Sequence, residues 1–145
     1  MTHTHSTVPF RGSVGGRIAP APAAATLGHQ LLEADTEEGT VELAFTATDA
    51  FTTPRGDVLK GFLAAMLHDT VGPALLATLT PGERIETHDL NATFVAPAYP
   101  GRLVGRGHVV RRDDNLAFVE AALSDADDRL VALATATLRI VRLEH

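Results

Sequence analysis

The segment from Val58 to about Ala77 constrains this chain more than any other, because it is one long helix with no second helix to pack against. Leu59, Phe62, Leu63, Met66, Leu67, Val71, Ala74 and Leu75 recur there at helical spacing. So apolar a helix does not lie on a surface. Every other periodic stretch alternates as a strand does: Leu27 to Asp35 and Gly39 to Thr48 before the helix, then Ile85 to Ala96, Arg102 to Arg112, Leu116 to Ser124 and Leu130 to Val141 after it. A lone apolar helix is buried by a sheet curled around it. The predicted class is therefore α+β, an antiparallel sheet of about six strands wrapped around one long central helix. Turn-forming residues at Pro97 to Gly101, Asp113-Asp114-Asn115 and Asp125 to Asp128 predict that the last four strands form an antiparallel meander.

Length and composition set the frame. At 145 residues and 45% hydrophobic content the chain suits one domain, read here as residues 20–142. Residues 1–19 are rich in Gly, Pro and Ser and read as a flexible arm, and Leu143-Glu144-His145 resembles the start of a vector-derived tag. His3 and His5 are read as tail residues, not as a metal site, and neither a metal nor a cofactor is expected. A net charge of −6 disfavours nucleic acid as a partner, since phosphate binding needs a basic field. The absence of Cys excludes thiolate chemistry and disulfides. No apolar run approaches the roughly 18 residues of a membrane span, so no membrane association is expected and the cytoplasm is the default location.

The helix has a second face, on which Gly61, Ala64, His68 and Gly72 lie opposite the apolar stripe, with Ala65 beside them. Two accounts of it stand side by side. Small residues permit close approach of a strand or a second subunit, with His68 a hydrogen-bonded histidine; or they leave room for a ligand beside a titratable group. At the helix start, Asp57 is a candidate cap. The amides of Val58 to Gly61 are expected to lack intrahelical partners and to suit a carbonyl oxygen gaining negative charge. Pro73 has no N–H to give Asp69, so a loosened helix is expected beside His68 and Asp69.

Two stretches in this order are similar to one known family. They are Pro54-x-Gly56-x-Val58-x-x-Gly61-Phe62-Leu63-Ala64-Ala65-Met66-Leu67-x-Asp69-Thr70-x-Gly72-Pro73-Ala74, and then Thr87-x-Asp89-Leu90-Asn91-x-x-Phe94-x-x-Pro97-x-x-x-Gly101. Together with Leu116 to Glu120 and Leu130 to Ala134 they resemble the PaaI-type hotdog thioesterases, a family of acyl-CoA thioesterases, over about Leu27 to Val141. The resemblance implies a hotdog fold, hydrolysis of an acyl- or aryl-CoA thioester, and a homodimer or dimer of dimers whose sites join the helix start of one subunit to the helix middle of the other. In that family a loop Asn precedes a His or Gln and two Gly at the helix start, and an acid nine residues after the His or Gln activates water or attacks the thioester. Here the Asn position is Thr53, the His/Gln position Leu59, the first Gly Lys60, and the acid position His68. Thr87 stands where a hydroxyl residue often supports the water, and Asp69 matches a second acid that many relatives carry.

The resemblance thus implies a rewired centre. Lys60 and Gly61 still offer backbone amides to an oxyanion. Leu59 offers no side-chain hydrogen bond. An imidazole at His68 suits a general base with Thr87 holding the water, and Asp69 either orients the imidazole or acts in its place. Arg102, Arg106, Arg111 and Arg112 are candidates for CoA phosphates, or solvated surface arginines. The alternative is a non-catalytic acyl-CoA or small-ligand binding protein on the same scaffold.

Overall fold

The computed structural model describes residues 21–143. The flexible arm assigned to 1–19 and the last two residues of the tag-like end fall outside the described residues. In chain order the elements are α1 (Pro22–Thr26), β1 (Gln30–Asp35), β2 (Thr40–Ala47), a 3-10 turn (Asp49–Phe51), α2 (Lys60–Leu76), β3 (Glu83–Phe94), β4 (Gly101–Arg112), β5 (Leu116–Ser124) and β6 (Leu130–Arg142). The six strands form one antiparallel sheet in the order β1-β2-β4-β5-β6-β3, which packs one face on α2.

Alternation along the strands explains the packing. In β5, Ala117, Val119, Ala121 and Leu123 are buried while Leu116, Phe118 and Glu120 are exposed. Val41, Leu43 and Phe45 of β2 and Ala134, Ala136 and Leu138 of β6 complete the buried face under Leu63, Met66, Leu67, Val71, Ala74 and Leu75 of α2. The helix comes closest to β4. There Gly105 and Gly107 face Thr70, and a Cβ added to Gly107 would stand 3.0 Å from the Thr70 carbonyl oxygen. Thr70 is fully buried, and its hydroxyl is satisfied by donating to Met66 O at 2.8 Å.

Three expectations need correction. The last four strands are not a meander: β4, β5 and β6 are, but β3 pairs with β6 at the sheet edge and β4 pairs with β2. The 95–100 segment is a crossover, not a hairpin turn. Pro97 and Pro100 have no N–H to close one, and Ala98 is buried with its carbonyl accepting from Val58 N at 2.8 Å. The helix starts at Lys60, and Asp57 does not cap it, since no side chain caps α2 and Leu59 occupies the cap position. Leu59, assigned to the core stripe, is 50% exposed, because its φ −58, ψ 132 backbone is not helical and the helical period does not reach it.

Candidate functional site

The loop before α2 is a small braced hairpin. Thr52 and Val58 form an isolated bridge, Thr53 N donates to Asp57 O at 2.8 Å, and Gly56 N donates to Thr53 O at 2.9 Å. The Thr53 hydroxyl donates to the Asp57 carboxylate, and this bond first of all holds the Asp57 carboxyl below the usual carboxylate range against the effect of burial. Thr53 is thereby committed to the loop. Arg55 stands exposed at its tip.

Two of the four amides expected to be open are in use. Val58 N–H is given to Ala98 O and Leu59 N–H to Phe51 O, each at 2.8 Å. Phe62 N–H closes onto Leu59 O at 2.9 Å. Lys60 and Gly61, the first two helical residues, keep N–H groups that helix geometry leaves without an intrahelical acceptor. Both residues are exposed, and a Cβ at Gly61 would meet nothing within 4 Å. Lys60 also borders a cavity of about 510 Å³ whose other walls include Arg55, Phe94, Val95, Pro97 and Tyr99.

His68 lies exposed on the small-residue face of α2, two turns after Gly61. Gly72, one turn further, contacts β3, where Ile85 Cδ1 stands 3.6 Å from the position of its missing Cβ. Thr87 follows Ile85 on the same strand and is half-buried. A β-bulge between Thr87 and Asp89 shifts the alternation by one residue, so that Ile85 and Thr87 before it and Leu90 and Ala92 after it all turn toward the helix.

Asp69 behaves differently from its neighbour. Its Oδ2 is buried without a hydrogen-bond partner, 3.9 Å from Nε2 of His29, which in turn sets its ring edge on Phe45 at a centroid distance of 5.8 Å. Burial raises the Asp69 carboxyl above its ordinary value, and the nearby His29 and His68 offset part of that rise. Sequence reasoning missed His29, because 40 residues separate it from Asp69 and no local pattern marks it.

The Asp69 shift has a checkable sign. A carboxyl raised in the folded state binds more protons there than in the unfolded chain, so its contribution to stability is full below the unfolded value of 3.8 and is lost as pH rises through the folded value. Asp69→Asn is therefore expected to melt at or above the wild-type temperature near pH 8 and to lose that advantage as pH approaches 4. A lower Tm for the variant near pH 8 would mean that attraction to His29 outweighs burial.

Among the candidate arginines, Arg106 pairs with Glu42 at 2.8 Å and Asp128 at 3.6 Å, Arg111 with Asp113 at 3.5 Å, and Arg112 with Glu83 at 3.2 Å. Arg106 lines a larger cavity, about 610 Å³, with His108, Glu120, Leu133 and Thr135. That cavity lies on the sheet face turned away from α2, remote from the helix amides. Arg102 is exposed on β4 and, among the described residues, has no carboxylate within 4.0 Å.

Comparison with known proteins decides the family. The profile of the thioesterase superfamily matches residues 56–132, more than half of the chain and the part that holds the helix start, His68 and Thr87. The chain belongs to the thioesterase superfamily. A crystal structure from Ralstonia eutropha, provisionally named a thioesterase and described as a phenylacetic acid degradation-related protein, is 43% identical and superposes with a TM-score of 0.84, over 90% of this chain and 98% of that one. The PaaI protein of the phenylacetic acid degradation operon of E. coli shares the fold at a TM-score of 0.82 and 15% identity, over 97% of each chain. A provisionally named esterase from Saccharolobus solfataricus is 34% identical over 92 residues, a match spanning 62% of this chain and 64% of that protein. The hotdog architecture and the likeness to PaaI-type proteins agree with the expectation from sequence, and thioester hydrolysis is the chemistry of this superfamily.

Proposed function

We propose that the chain hydrolyses an acyl- or aryl-CoA thioester to the free acid and CoA, with water activated by His68 and the thioester carbonyl polarised by the amides of Lys60 and Gly61. The observation that carries this is the helix start. Two successive exposed residues carry amides with no intrahelical acceptor, and the first of them, Lys60, borders a cavity large enough for a ligand, in a chain of a thioester-hydrolysing superfamily.

The chemistry follows from these groups. The His68 imidazole takes a proton from a water held by the Thr87 hydroxyl, and the oxygen attacks the thioester carbon. The carbonyl oxygen, now negative, accepts from the two amides. Collapse breaks the C–S bond, the carboxylic acid leaves, and the imidazolium returns its proton to the thiolate of CoA. Thr87 suits its part because one two-residue step along β3 from Ile85, about 6.7 Å, matches the one-turn step of about 6 Å from Gly72 to His68.

One chain does not complete this arrangement. His68 is eight residues beyond Lys60, about 12 Å along the helix axis, too far to deliver water to a carbonyl on the Lys60 amide. The reading therefore requires a homodimer in which the helix start of one copy faces His68 and Thr87 of the other. Leu59 favours the second reading, a binding protein without turnover, because an exposed apolar side chain stands where a thioesterase of this type orients its substrate.

Release of free thiol from a panel of acyl- and aryl-CoA thioesters tests hydrolysis, and complementation tests the shared site. Lys60→Pro removes one amide while keeping the helix, since Pro is tolerated at the first helical position and the extended Leu59 backbone suits a following Pro. It is expected to lower kcat by about 10²–10³ against Lys60→Ala. Mixed with His68→Ala in equal amounts, it is expected to restore about a quarter of wild-type activity, because half the dimers are mixed and each carries one intact site. Two inactive variants that stay inactive together would defeat the two-chain site. A wild-type protein that binds acyl-CoA saturably without releasing thiol would leave the binding reading.

A further inference from the structure

The bulge in β3 is pinned in a way that the other irregularities of the sheet are not. Register shifts occur in β1 between Leu31 and Glu33, in β3 between Thr87 and Asp89, in β4 between Val109 and Arg111, and in β5 between Leu123 and Ser124. Among the described residues, only the shift in β3 has a side-chain hydrogen bond to the backbone of the facing strand: Asp89 Oδ1 accepts the N–H of Thr137 on β6 at 3.1 Å. The other described side chains that accept a backbone N–H take it from within four residues.

The bond answers a local need. Thr87 faces Leu138 and Asp89 faces Thr137, so His88 between them has no partner across the ladder. In an unbroken ladder His88 would stand opposite Thr137, and here the Asp89 carboxylate takes the Thr137 N–H instead. β3 is the last strand of the sheet, so within the chain β6 alone sets its register. If the leading half of β3 slipped by one residue to close the bulge, His88 would come opposite Leu138, and Ile85 and Thr87 would turn away from α2. With the bulge in place, Ile85 packs on the core and Thr87 shares its side of the strand. Leu90 also turns inward, so Asp89 turns outward, and it is exposed.

We propose that Asp89 is a positioning residue, whose bond to the Thr137 N–H holds the bulge that keeps Thr87 turned toward the His68 face of α2. This rests on the hydrolysis proposed above, in which Thr87 holds the attacking water. Asp89 points away from that water and acts through Thr87. Its part is that of an acceptor oxygen, which an amide at the same position supplies as well.

The chain has no cysteine, so single cysteines report on each side of the bulge without background. In Thr87→Cys, adding Asp89→Ala is expected to speed alkylation by iodoacetamide about fivefold, the worth of one hydrogen bond, whereas adding Asp89→Asn leaves the rate as it was. In Ala92→Cys, half-buried beyond the bulge, Asp89→Ala is expected to change nothing. In turnover, Asp89→Ala is expected to lower kcat for thiol release about tenfold with KM within about twofold, and Asp89→Asn to keep it. In the Thr87→Ala background, Asp89→Ala is expected to add less than about twofold. Asp89 is exposed, so these changes leave the core packing intact. The proposal is overturned if Asp89→Ala leaves the Thr87→Cys rate unchanged, or if it speeds labelling at positions 87 and 92 alike, since that is general loosening. It is also overturned if Asp89→Asn behaves as Asp89→Ala does, or if Asp89→Ala lowers kcat equally in the wild-type and Thr87→Ala backgrounds. The two readings fail separately. Asp89-dependent labelling in a chain that releases no thiol keeps the pinned bulge and removes the hydrolysis, and thiol release with Asp89-independent labelling does the reverse.

Discussion

Replacing His68 with Ala is expected to lower kcat for the best acyl- or aryl-CoA substrate by about 10²–10⁴, the range for loss of a general base, while leaving CoA affinity within about twofold. The side chain is exposed, in a helix held by the opposite face, so the folded state tolerates the change. His68→Asp is the more informative partner variant, because it restores a carboxylate where PaaI-type proteins carry an acid, and at least part of the activity should return. Asp69→Ala is expected to affect turnover less than His68→Ala, because Asp69 Oδ2 is buried 3.9 Å from His29 Nε2 whereas His68 is exposed. Should Asp69→Ala abolish thiol release while His68→Ala retains it, the base is misassigned.

Gly107→Val is expected to cost about 3 kcal/mol of stability, with Gly107→Ala intermediate, read as a lowered denaturant midpoint at constant slope. A Cβ there meets the Thr70 carbonyl at 3.0 Å and the Ala74 Cβ at 3.3 Å. The first is backbone, inside a helix whose hydrogen bonds do not let it turn aside, so relief requires moving α2 off β4. At Gly105 the nearest obstacle is instead the Thr70 hydroxyl, which Thr70→Ala removes, leaving the Phe45 ring edge at 3.1 Å. Thr70→Ala should therefore rescue Gly105→Ala in part, and Gly107→Ala less, since the Thr70 carbonyl stays in place there. The same contact fixes the rotation of α2 that leaves Gly61 and His68 exposed and sets Gly72 against β3. An undiminished midpoint for Gly107→Val would show that the helix slides without penalty.

Local patterns made much of this visible. Seven helix positions buried as a stripe, strands with clean alternation, and turns of Asp, Asn and Gly are each decided by residues within one element, so the helix and all six strands are legible from the chain. The small-residue face of α2 was legible for the same reason, since periodicity reports orientation within a helix. Neighbours across the sheet were not. Alternation tells which side of a strand is buried but not which strand lies beside it, so β3 at the far edge next to β6 went unseen. The pairing of Asp69 with His29, and of Val58 and Leu59 amides with Ala98 and Phe51 carbonyls, depends on chain crossings that no local pattern encodes.

By itself the sequence determined that one apolar helix must be wrapped by an antiparallel sheet, and its resemblance to PaaI-type proteins singled out Leu59, Lys60 and His68 as the substituted positions of the proposed centre. Only the tertiary structure decided which amides stay open, that Asp69 is drawn toward His29 while His68 faces outward, and that Arg55 and Tyr99 share a cavity with Lys60. The physical reason is that periodicity is fixed by bonds along the chain, whereas a hydrogen bond used up or left open is fixed by whatever distant segment the fold brings within 3 Å.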